Sequence, residues 1–130
     1  MRNISILLLL LFGLSRFIVL GKVRVRVVNK LGSGLIMNIH CQSHDNDLGY
    51  LAVPDGLEVE WKFSVNIWGT TLFYCDVQWD HSNWHHFVAY SYEWYSNRCQ
   101  TECSWLISKD GQLFVFNQEF GNWDLMPFQD

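Results

Sequence analysis

Between Leu57 and Ile67 every second side chain is apolar. Leu57, Val59, Trp61, Phe63, Val65 and Ile67 alternate with Glu58, Glu60, Lys62, Ser64 and Asn66. A period of two puts the two sets on opposite sides of an extended backbone, so this segment is predicted to be a β-strand with one buried and one wet face. The same alternation recurs along the chain after residue 21. Val23, Val25 and Val27 alternate with Lys22, Arg24 and Arg26, and the arginines read as solvated charges of an edge strand. Leu35, Met37, Ile39 and Cys41 share one parity, as do Thr71, Phe73, Cys75, Val77 and Trp79. Cys103, Trp105 and Ile107 lead through Asp110-Gly111, a hairpin turn signal, into a partner strand over 113–116. Residues 86–95 carry apolar side chains on both parities and do not resolve. No segment sustains a helical period. The predicted fold is all-β, a small antiparallel β-sandwich of about seven to nine strands.

The start of the chain follows another rule. Met1, Arg2 and Asn3 are followed by an apolar run over 4–14, which Arg16 closes off before Phe17-Ile18-Val19-Leu20. A membrane span needs roughly 20 apolar residues without a central charge. A short apolar core behind a positive start is instead the pattern of a secretory signal peptide. Residues 1–21 are therefore expected to be removed after Gly21, with Gly13-Leu14-Ser15 the lesser alternative. Residues 22–130 form the domain, secreted and extracellular, with no stable membrane insertion. Removal takes Arg2 and Arg16, leaving seven basic against 13 acidic side chains and a net charge of −6. A protein of that charge with no basic block is not built to grip nucleic acid; its field favours a cationic partner.

Four cysteines follow: Cys41, Cys75, Cys99 and Cys103. An even number in a small secreted domain reads as two disulfides, with three connectivities open. A Cys99–Cys103 bridge closes a small loop and restricts the unfolded chain little, so the expectation leans to long-range pairs. Cys99-x-x-x-Cys103 lacks a second pair at zinc spacing, and no metal is expected there.

Candidate chemistry is sparse. His81 and His85 can approach across a loop and bind a transition metal weakly, but loop histidines are better read as solvated side chains. His40 has the parity opposite to Ile39 and Cys41 and is expected to face outward. Asp45-Asn46-Asp47 resembles the opening of a calcium loop without its glycine or its distant glutamate, and reads as a turn. Glu58 and Glu60 share a strand face, and a carboxylate pair is the requirement of glycoside cleavage, yet wet-face acids are more often solubilising. No nucleophile elbow and no phosphate-cradling loop occurs. No catalytic residue and no cofactor is expected. Trp68 and Trp84 fall in turn-rich segments, where aromatics either anchor a partner or fold over a sheet end.

Several landmarks in order resemble the plant self-incompatibility S-protein homologues. They are Val27-Val28-Asn29 before a glycine-rich turn, His40-Cys41-Gln42-Ser43, Asp47-Leu48-Gly49, Trp61-Lys62-Phe63 and Thr71-Leu72-Phe73-Tyr74-Cys75. Cys99, Cys103, Ser104-Trp105 and Asp110-Gly111 follow. The resemblance spans residues 22–116. It implies a small secreted plant protein, a β-sandwich held by two disulfides, whose characterised relatives act as extracellular ligands of a pollen membrane partner. Some relatives are glycosylated; after residue 21 this chain has no Asn-x-Ser/Thr site, and only the rare cysteine variant Asn97-Arg98-Cys99.

Together these readings predict a monomeric, non-enzymatic ligand that binds a cell-surface protein through the loops Ser43–Gly49 and Asp80–His86. The candidate contacts are Asp45, Asn46, Asp47, Asp80, His81, Asn83 and Trp84. The alternative is a cell-wall carbohydrate-binding module using Trp68 or Trp84 as its platform.

Overall fold

Val23, Val25 and Val27 sit at the centre of the molecule, and the strand that carries them is an interior one. The computed structural model describes residues 21–66, 68–95 and 98–130. The expected signal segment therefore lies, but for Gly21, outside the described residues, and so does Ile67. Nine strands are seen among the described residues: β1 Lys22–Asn29, β2 Met37–Gln42, β3 Asp47–Val53, β4 Glu58–Ser64, β5 Leu72–Gln78, β6 His85–Ser91, β7 Glu102–Ile107, β8 Leu113–Asn117 and β9 Asn122–Met126. A single helical turn, α1 Tyr92–Tyr95, follows β6. Two sheets form, one of five strands in the order β4-β1-β7-β8-β9 and one of four in the order β3-β2-β5-β6. The β-sandwich expected from the alternation is thus present, with one departure from antiparallel pairing: β1 runs parallel to β7.

Because β1 lies between β4 and β7, its arginines are not edge charges. Arg26 pairs with Glu58 of β4 at 2.6 Å and with Glu102 of β7 at 3.1 Å, and Arg24 pairs with Glu60 at 3.5 Å. Both arginines of β1 thus meet acids on neighbouring strands, so cations and acids form a cross-strand ladder on the outer face. The valines on the other side are at most 2% exposed and join Met37, Ile39, Val77, Phe87 and Trp105 in one core between the sheets.

Residues 86–95 resisted assignment for a structural reason. The β5–β6 register shifts at Phe73/Tyr74, where Phe73 lies opposite Tyr90 and Tyr74 opposite Val88. Ala89 is the extra residue of a β-bulge, which resets the parity so that Phe87 and Tyr90 both point inward. The strands β3 and β9 were not anticipated. Both are edge strands with largely exposed side chains, so neither has a buried face to impose a period of two.

The disulfides pair Cys41 with Cys75 and Cys99 with Cys103. The lean towards long-range pairs is corrected for the second: the bridge closes the small loop that entropy alone disfavoured. Cys41 and Cys75 face each other directly in the β2–β5 register, and Cys99 is held beside α1 by its N–H to the Tyr95 carbonyl at 2.9 Å. Strand pairing brings the first two thiols together, and a local turn brings the others.

Asn29 joins the layers. It is fully buried, yet its amide donates to the carbonyls of Leu35 and Val53 at 2.9 and 3.0 Å and accepts from Leu31 N–H at 2.9 Å. One β1 side chain thereby satisfies backbone groups of the following turn and of β3, as a buried amide must.

Candidate recognition face

The inward parity of Met37, Ile39 and Cys41 turns Asn38, His40 and Gln42 of β2 outward. Register then builds a row across the outer face of the four-stranded sheet: Tyr50 of β3 opposite His40, His40 opposite Asp76 of β5, and Asp76 opposite His86 of β6. The row is closely connected. His40 Nε2 lies 2.7 Å from Asp47 Oδ1, which also accepts the Gly49 N–H at 2.8 Å. An ionised carboxylate only accepts, so Nε2 is the donor. The Gly49 bond and then the His40 bond hold the Asp47 carboxyl below its usual range.

Tyr50 stacks on His40 with ring centroids 4.1 Å apart, and Trp84 meets Tyr50 edge-on at 6.0 Å. His40 is therefore covered, its side chain only 11% exposed, whereas Tyr50 remains 72% exposed. At the other end of the row His86 Nδ1 lies 2.9 Å from Asp76 Oδ1, and the His86 ring is 5.4 Å from that of Tyr74. His85 faces the other way, against Trp79 and Phe128, and bonds Asp130 at 2.8 Å.

The two expected recognition loops are shorter than their sequence boundaries. Asp47 begins β3, and His85 and His86 open β6, so the true connections are 43–46 and 79–84. They lie at opposite ends of the sheet, one beside Tyr74 and the other beside Asn38. Ser43 N–H donates to the Asn46 carbonyl at 2.7 Å, closing a turn that leaves Asp45 and Asn46 exposed. In the other connection Ser82 N–H donates to the Trp79 carbonyl at 2.9 Å. Asp80 and His81 between them have φ of 50° and 59°, the doubly left-handed turn that suits a twisted hairpin. Gln78 Nε2 ties that turn to the sheet through the Ser82 carbonyl at 3.2 Å.

Of the candidate residues, Asp47 and Trp84 are thus brought onto one face through His40 and Tyr50. Asp45 and Asn46 stand at one end of the sheet, and Asp80, His81 and Asn83 at the other. Sequence reasoning missed Tyr50 and Asp76, and took in His86 only as the last residue of the Asp80–His86 loop, not as a named contact. The parity of His40 with Asn38 and Gln42 marked the face, but its partners depend on strand order.

The Glu58–Glu60 pair has a different setting. Glu58 holds Arg26 through both carboxylate oxygens, at 2.6 and 3.0 Å, which lowers its proton affinity. Glycoside cleavage needs one neutral carboxylic acid beside an ionised partner, and a carboxylate clamped by guanidinium does not supply it. Among the described residues no group of three or more His, Cys, Asp or Glu side chains is arranged to hold a metal ion. Among them, too, no helix is long and apolar enough to cross a membrane.

A two-sheet sandwich with one cross-strand disulfide, one turn-closing disulfide and an aromatic, histidine-rich outer face defines a small disulfide-stapled β-sandwich protein. The chain belongs to the plant self-incompatibility protein S1 family, whose sequence profile matches residues 24–127. It is 39% identical over 106 residues to self-incompatibility protein S1 of Papaver rhoeas, covering 79% of this chain and 74% of that one. It is also 39% identical over 87 residues to S-protein homolog 5 of Arabidopsis thaliana, covering 67% of this chain and 66% of the relative. A solved structure shares the fold with a TM-score of 0.57 at 18% identity, covering 83% of this chain and 90% of that one; it is described as an SPH protein, from a widespread family of small, highly stable, secreted proteins from plants. The extracellular location expected from the sequence agrees with that description.

Proposed function

We propose that the protein is a secreted, non-enzymatic ligand that engages a cell-surface protein through the outer face of its four-stranded sheet and the turns at either end. The observation that carries this reading is the chain of contacts Asp47–His40–Tyr50–Trp84, which presents an exposed aromatic pair framed by carboxylates. Amphipathic aromatics held rigid by their neighbours are the usual anchors of protein interfaces, because little side-chain entropy is lost on binding. The match to a poppy protein named for self-incompatibility supports a recognition role. The acidic balance of residues 22–130 suits a basic receptor surface and electrostatic steering.

The test is binding of the tagged, secreted protein to intact plant cells. Substituting Asp45, Asp47 and Asp80 with Asn together is expected to slow association and reduce its salt dependence. Tyr50→Ala is expected to speed dissociation, a loss of about 2 kcal/mol if Tyr50 is an anchor. Full binding by both variants, with unchanged unfolding midpoints, would remove this face from the interface.

A further inference from the structure

At the end of the sandwich away from the Asp80–His81 turn, a cleft of about 580 Å³ opens between the 43–46 connection and two stretches, Phe63 to Asn66 without Val65 and Thr70 to Tyr74. Its size falls within the ~300–1,000 Å³ of small-molecule sites. Phe63 of β4 and Leu72 of β5 supply its apolar wall, backed by the buried Phe73, whose ring centroid lies 4.7 Å from that of Phe63. Asp45, Asn46, Thr70 and Thr71 are among the polar side chains that line it, and no Lys or Arg does so among the described residues.

At one lip, Asn66, Trp68, Thr70 and Thr71 are joined by hydrogen bonds. Asn66 Oδ1 accepts the backbone N–H groups of Trp68 and Thr70 at 3.0 and 3.1 Å, and Asn66 N–H donates to Thr71 Oγ1 at 2.8 Å. Gly69, at φ +68°, lies so near Tyr92 of α1 that an added Cβ would come within 3.0 Å of its ring. Only glycine combines that backbone conformation with that approach. Trp68 is not part of the cleft lining itself; it stands 79% exposed, two residues from each of the lining residues Asn66 and Thr70.

The lining chemistry selects a ligand class. An anion would find no Lys or Arg, would have His44 as its sole candidate cation among the lining residues, and would meet the Asp45 carboxylate next to it. A purely apolar ligand would strip water from hydroxyls, amides and a carboxylate without replacing their hydrogen bonds. A hydroxyl-rich ring with an apolar C–H face satisfies both kinds of wall. We propose that this cleft binds a neutral oligosaccharide, with Trp68 as the stacking surface for a ring that extends beyond it. The cleft shares the 43–46 turn with the surface argued for the ligand role, but its proposed stacking residue, Trp68, lies apart from Trp84, which is engaged by Tyr50.

The test is an NMR titration of the protein recovered from the medium of cells expressing the full chain. The probes are cellohexaose and xyloglucan heptasaccharide, with trigalacturonate as the anionic comparison. Saturable shifts are expected at Asp45, Asn46, Trp68 and Thr70 with a neutral probe and none with trigalacturonate. Trp68→Ala and Asn46→Ala, both at exposed positions, should each weaken binding roughly tenfold or more, whereas Tyr50→Ala and Trp84→Ala leave it unchanged. The proposal is overturned if neither neutral probe binds at millimolar concentration, if the shifts map to the outer face, if trigalacturonate binds more tightly, or if Trp68→Ala and Asn46→Ala both bind like the parent.

Discussion

Trp105 of β7 donates its indole N–H to the carbonyl of Ala89 in β6 at 2.9 Å, a hydrogen bond that crosses from one sheet to the other. The bulge in β6 makes it available, since Ala89 has no partner in the β5 register. Trp105 is 1% exposed and packs against both Phe87 and Tyr95. Replacing it with Phe removes the donor, orphans a buried carbonyl and leaves a void. A loss of about 2–4 kcal/mol is expected in denaturant unfolding. A loss below about 1 kcal/mol would mean the carbonyl regains a partner.

Asn29 is expected to be nearly as sensitive. Asn29→Ala would leave two carbonyls and one N–H without partners in the core, at a cost of about 2–4 kcal/mol. Asn29→Asp should cost at least as much, because it keeps the acceptor while placing a charge where two donors are required. Equilibrium unfolding of both variants tests the order.

The two disulfides should differ in worth. Cys41–Cys75 spans a sequence separation of 34 and Cys99–Cys103 one of 4. Chain entropy assigns about 3–4 kcal/mol to the first and about 2 kcal/mol to the second. Paired Cys→Ala variants compared by unfolding should show that ranking. Peptide mapping without reduction should recover both pairs as stated, and a Cys41–Cys99 peptide would refute the topology.

Arg26 and Arg24 sit two residues apart on one face and make a controlled comparison. Arg26 binds two acids, one of them through both oxygens, while Arg24 makes a single, more exposed pair. Arg26→Gln is expected to cost about 1 kcal/mol and Arg24→Gln close to nothing. Equal losses would show that the network adds nothing to its pairs.

Acid should weaken the protein in a defined window. The Gly49 and His40 bonds depress the Asp47 carboxyl, those of His85 and His86 depress Asp130, and those of Arg26 depress Glu58. Each folded pKa lies below its unfolded value, so the contribution is complete above about pH 4–5 and is lost as pH falls through the folded value. Unfolding midpoints should therefore fall progressively below about pH 4. Salt should shrink the part due to the exposed Asp47 and Asp130. A midpoint that rose on acidification would reverse the sign of these assignments.

The alternation over 57–67 and in Val23–Val27 was enough to determine an all-β fold, because burial on one face of a sheet imposes a period of two on the residues themselves. The same rule turned His40 outward. It failed at β3 and β9, which bury too little to carry a pattern, and at β6, where one extra residue reverses parity midway. What the sequence could not contain was strand order. That β1 lies inside its sheet, that Cys41 meets Cys75, and that Asp47, His40, Tyr50 and Trp84 share a surface are consequences of which strands become neighbours. Neighbours are chosen by the packing of the whole core, through contacts between residues far apart in the chain, so no local period records them.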